Sequence, residues 1–154
     1  MSMLREHLSK VIERLKSFEE GMEKTKKGFD AMPFMIKSYA ERDFEVGSGK
    51  SANEWLEEAQ RYRNLLENLL AVLDNNREPT REKVSEALEE TRAFISSLKK
   101  LHKYLEDIPS KLASIPSYLL PNLDESVAEA CRAAEDTVRF IEELEKLEVM
   151  LQNL

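Results

Sequence analysis

The chain has 154 residues, of which 42% are hydrophobic and 34% charged, with only four glycines and five prolines. That length fits one domain, and the shortage of turn formers favours a few long helices over many short elements. A net charge of −7 argues against nucleic-acid binding by phosphate neutralisation, and a lone cysteine, Cys131, excludes an intrachain disulfide.

The first segment carries Leu4, Leu8, Val11, Leu15, Phe18, Met22, Thr25, Phe29, Met32 and Ile36 at alternating spacings of four and three. Such a 3.5-residue repeat predicts a helix over about 3–30 that packs on partner helices at a shallow crossing. Pro33 removes a backbone donor and crowds the carbonyl four residues back, so the helix should stop or kink there. A short helical piece over about 33–43 and a turn at Gly47-Ser48-Gly49 are expected next. Ser51 and Glu54 form an S-x-x-E capping box that opens a second long helix, about 52–74, with Trp55, Ala59, Tyr62, Leu66, Leu69 and Leu73 on its inner face.

The polar run Asp74–Pro79 reads as a short loop, with Thr80 as N-cap of a third helix over about 81–107. Its heptad runs through Val84, Ala87, Thr91, Phe94, Leu98, Leu101, Leu105 and Ile108, and Pro109 should end it. The connection that follows holds three prolines yet carries Leu112, Ile115, Tyr118, Leu119, Leu120 and Leu123, too many large apolar groups for a solvated linker. Asp124 reads as N-cap of the last helix, about 125–152. Its stripe passes through Val127, Cys131 or Ala130, Ala134, Val138 and Ile141 before slipping to Leu144, Leu147, Leu151 and Leu154. Nine acidic and three basic residues lie between Asp124 and Leu154, an acidic solvated face.

The expected fold is therefore all-α, an antiparallel up-down-up-down four-helix bundle in a single domain spanning residues 1–154. In that topology the first and third connections share one end. Phe29, Met32, Phe34, Met35, Tyr39, Phe44, Trp55, Tyr118 and Leu119 would gather there, as a lid on the core or as a binding site with adaptable methionines.

Candidate chemistry is thin. Gly47-Ser48-Gly49-Lys50-Ser51 matches the last five residues of a phosphate-binding loop, but Phe44 stands where the first glycine belongs and no strand precedes it. His7-Leu8-Ser9-Lys10 resembles the H-x-x-K spacing of histidine phosphotransfer domains, a likeness of four residues, with Val11 in place of an expected glycine. Neither His7 nor His102 follows a glutamate by three residues, so the di-iron bundle pattern is missing, and one Cys with two distant His gives no zinc set. No catalytic, metal or cofactor residue is expected. The functional expectation is a non-catalytic binding or assembly module with a protein partner and a possible homodimer; the alternatives are a sensor for a small apolar ligand and a phosphotransfer protein using His7. The N-terminus is charged from its fifth residue, with no signal-type apolar core, and no run of about 18 apolar residues is long enough to span a membrane, so a cytoplasmic location is expected.

Overall fold

The computed structural model describes residues 2–114 and 123–154. These form five α-helices and, among the described residues, no strand: α1 (Ser2–Asp30), α2 (Phe34–Ser48), α3 (Ala52–Asp74), α4 (Arg81–Ala113) and α5 (Leu123–Gln152). The expected count of four is corrected to five, because the piece after Pro33 is a helix of 15 residues. No helix of the described residues is long and apolar enough to cross a membrane.

Proline and glycine set the breaks. Pro33 occupies the N-cap position of α2 with φ −55° and ψ 145°, an extended conformation that turns the chain out of α1. Its carbonyl accepts the first α2 bond, from Lys37 N at 2.8 Å. The predicted Gly47-Ser48-Gly49 turn shrinks to one residue: Gly47 and Ser48 are helical, and Gly49 alone takes a left-handed φ of 93°. The Ser48 hydroxyl donates to the Phe44 carbonyl one turn back at 2.6 Å. The capping box then starts α3, with Ser51 Oγ accepting from Glu54 N at 3.2 Å and Glu54 Oε1 accepting from Ser51 N at 3.1 Å.

Pro109 does not end α4. The helix runs on to Ala113, held past the proline by contacts to α2. Lys111 Nζ lies 3.3 Å from Asp43 Oδ1 and 5.0 Å from the centre of the Tyr104 ring, and the Tyr104 hydroxyl donates to Asp43 Oδ2 at 2.9 Å. Burial, then the Asp43 carboxylate it donates to, pushes the Tyr104 pKa upward.

Helix directions follow from which residues meet. Lys111 meets Asp43, Tyr104 meets Phe44, Ser97 meets Lys50, Phe94 meets Trp55 and Thr91 meets Tyr62. Position along α4 therefore falls steadily as the chain advances through α2 and α3, and these two helices follow one another along α4, antiparallel to it. On α1, Phe29 meets Phe44, Phe18 meets Trp55 and Glu19 meets Arg63, again antiparallel. α5 packs chiefly on α4, with Arg92 bonded to Glu148 at 2.8 Å and Phe94 against Phe140.

The core is continuous along these helices and centres on Phe18, Trp55, Phe94 and Phe140, whose rings contact one another at 5.6–6.1 Å between centroids. One polar chain runs through it. Thr91 Oγ1 donates to the Ala87 carbonyl at 2.6 Å, which leaves its lone pairs to accept from the buried Tyr62 hydroxyl, also at 2.6 Å. On α5 the inward positions are Ala130, Ala134, Thr137, Phe140, Ile141, Leu144, Leu147 and Leu151. Of the two candidates for one seam position, Ala130 is buried and Cys131 is exposed, and Val138 is exposed as well. Thr137 takes the inner place because its hydroxyl donates to the Ala133 carbonyl at 2.7 Å and needs no water.

Candidate functional site

Small residues on two helices leave open space between them. Ser17, Gly21 and Thr25 recur every four residues along one edge of α1, and Ala133 and Thr137 stand on the opposing edge of α5. α1 packs far more extensively on α3 than on α5, so short side chains leave the α1–α5 seam unfilled. The result is a groove of about 600 Å³, within the usual range for small-molecule sites. A Cβ added at Gly21 would meet nothing within 4 Å.

The groove has an apolar floor and a charged lip. Phe18, Met22, Phe44, Leu101, Leu105 and Phe140 form the floor; Lys10, Glu13, Arg14 and Asp136 stand on the lip with Ser17, Thr25 and Thr137 between. Met22 and Leu101 of the floor are 7% and 2% exposed, whereas Phe18 and Leu105 are half-buried. At one end the seam is closed by His7, whose Nε2–H donates to the Glu143 carbonyl at 2.7 Å. At the other end Phe44 of α2 meets Phe29 and Tyr104.

The residues expected to form one apolar end surface fall into separate places. Phe29 and Phe44 pack together with Tyr104, and Phe44 alone of the set lines the groove. Trp55 is fully buried near the middle of the molecule, where Phe18 stands between it and the groove. Phe34 (81% exposed), Met35 (84%) and Tyr39 lie on the outer side of α2, and Met32 is at the surface beside Pro33. With Val46 they give α2 a second apolar face, opposite the one that Phe44 and Ser48 bury. Tyr118 and Leu119 lie outside the described residues.

Two motif candidates are occupied by the fold. Lys50 Nζ lies 2.6 Å from Glu58 Oε2, donates to Ser97 Oγ at 2.6 Å and sits 4.8 Å from the centre of the Trp55 ring. Trp55 Nε1 in turn donates to Ser48 Oγ at 3.2 Å. The GSGKS tail thus locks the α2–α3 junction onto α4, and its lysine is spent on that lock. His7 is buried, with Nε2 committed to the Glu143 carbonyl and Nδ1 3.5 Å from the Glu143 carboxylate. No group of three or more His, Cys, Asp or Glu converges among the described residues.

The groove is not announced by large apolar residues in the sequence. Its signal is the reverse, a four-residue spacing of small residues in α1 facing the alanine-rich first half of α5. Compared with protein-family models, curated proteins and solved structures, the chain matches none.

Proposed function

We propose that the protein is a non-catalytic helical binding module that takes a small, mainly apolar ligand into the groove between α1, α4 and α5. The observation that carries this reading is the apolar floor of a groove about 600 Å³ in volume. A partner helix needs a broad exposed apolar stripe, whereas Met22, Phe44, Leu101 and Phe140 of the floor are each buried. In this reading α2 and α3 act as one broken strut opposite α4, so the molecule works as an antiparallel four-membered bundle whose first and last members stand apart.

The test is Gly21→Leu. The new side chain enters open space in the groove, and replacing a helix-interior glycine adds roughly 0.5–1 kcal/mol of stability. The expected outcome is a variant at least as stable as the parent that no longer binds alkyl ligands, followed by calorimetry or by Trp55 emission, since Trp55 touches Phe18 at the groove wall. A stable variant that still binds would sink the reading.

A second reading, assembly with a protein partner or a second copy, is favoured by the outer face of α2 with Phe34, Met35, Tyr39 and Val46 exposed. Met35→Glu should then abolish that association and leave groove binding intact, with light scattering as the check on self-association. Phosphotransfer through His7 has no support from its buried, hydrogen-bonded ring. A cytoplasmic setting suits an exposed free thiol such as Cys131, which a reducing compartment preserves.

A further inference from the structure

Resting on the groove reading above, we infer that the ligand is an anionic amphiphile, an alkyl chain ending in a carboxylate or similar small anion, bound with its head at Arg14 and Lys10 and its tail toward Phe44. His7 of α1 bonds to Glu143 of α5, and the two helices run in opposite senses. Two turns onward from His7 is Arg14, and two turns back from Glu143 is Asp136. Both line the groove, Arg14 on the α1 lip and Asp136 on the α5 lip.

Lys10 lies one turn before Arg14 on the same edge. Sequence spacing suggests a Glu6–Lys10 pair, yet among the described residues neither Lys10, Arg14 nor Asp136 has an ion-pair partner within 4.0 Å, whereas Glu13 is engaged by Lys16 at 3.4 Å. The lip therefore holds two uncommitted cations against one uncommitted anion, on a chain whose net charge is −7. A guanidinium presents a planar fork that matches a carboxylate in a bidentate pair, and its partly buried position here reduces solvent screening. From Arg14 toward Thr25 the lining turns apolar, with Phe18, Met22, Leu101, Leu105 and Phe44 and only small hydroxyls between. Eleven residues of helix at ~1.5 Å each span about 16 Å, the length of an extended alkyl chain of roughly a dozen carbons. The seam thus has one charged end and one apolar end. Asp136 acts as the discriminator, since it opposes an anionic head and limits how tightly one is held.

The experiment compares dodecanoate, dodecanol and dodecyltrimethylammonium, each below its micellar concentration, against the full chain by calorimetry with Trp55 emission as second readout. Dodecanoate should bind about tenfold or more tightly than dodecanol, as expected for a charge-assisted contact. Arg14→Gln should erase that margin by lowering dodecanoate affinity far more than dodecanol affinity, and Asp136→Asn should widen it. Equal affinity for dodecanoate and dodecanol, or preference for the cation, would overturn the anionic head and leave the groove reading standing. Failure of all three to bind, in the parent as in Gly21→Leu, would overturn both. Binding that Arg14→Gln leaves untouched would overturn the placement of the head.

Discussion

At the scale of single residues, the junction between α2 and α3 shows how one side chain fixes what its neighbours must be. Tyr104 lies so close to Gly47 that a Cβ there would overlap its ring, and the same tyrosine anchors Asp43 and underlies Lys111. Gly47→Ala should therefore displace Tyr104 and destabilise the protein by about 1–3 kcal/mol, in the range of overpacked cores. Urea denaturation measures this, and an unchanged midpoint would mean that the ring shifts freely. The GSGKS run was legible as a turn followed by a cap, but the need for glycine at 47 was not, because its cause sits 57 residues away on α4. Lys50 was misleading for a similar reason. A lysine after Gly-Ser-Gly looks available until Glu58 and Ser97 are seen to hold it.

Among the elements, the starts of α3 and α4 were the most legible features, whereas Asp124, expected as an N-cap, lies inside the first turn of α5. Ser51 with Glu54, and Thr80, cap α3 and α4 because a hydroxyl within reach of orphan amides is a local matter. Helix ends and breaks were less so, since tertiary contacts overrule local preference: α4 passes through Pro109, and α2 continues through Gly47 and Ser48. The capping box has a pH signature. Glu54 accepts from the Ser51 N–H, and this bond, with the Ser51 side chain, holds the carboxyl below its ordinary value of 4.5. A carboxylate whose folded pKa is depressed adds stability that is present above the unfolded value and lost as pH falls through the folded one. The stability difference between the parent and Glu54→Gln should accordingly shrink as pH drops from neutral through the region below 4.5. Denaturation midpoints across that window check it, and a difference that stays constant would show that the carboxylate charge is not involved. α2 itself was half legible. Its apolar residues were recognised, but six large ones near one proline could not reveal that Phe44 points inward while Phe34, Met35 and Tyr39 point out.

For the whole molecule, the heptad seams of α3 and α4 carry the fold. Leu98, fully buried among neighbours from several helices, is the sharpest probe. Leu98→Asp should cost about 3–5 kcal/mol, enough to abolish cooperative unfolding in a domain of ordinary stability, while Met35→Asp on the outer face of α2 should fall within about 0.5 kcal/mol of the parent. Thermal melts of the two variants side by side decide the matter; similar melting temperatures would mean that the seam is misassigned. Helical class and the inner faces of α3 and α4 were legible because large apolar residues announce themselves by period. The groove was not, because a void is made by what facing helices lack, and one helix alone does not show which residues it will face.

That void ties occupancy to folding. Along α1 and α5 the chain supplies too few contacts of its own, so whatever enters the seam provides interhelix packing that the sequence leaves out. A ligand held there favours the folded chain by mass action, in proportion to the logarithm of its free concentration over its dissociation constant. The melting point of this protein would then serve as a gauge of how full the groove is.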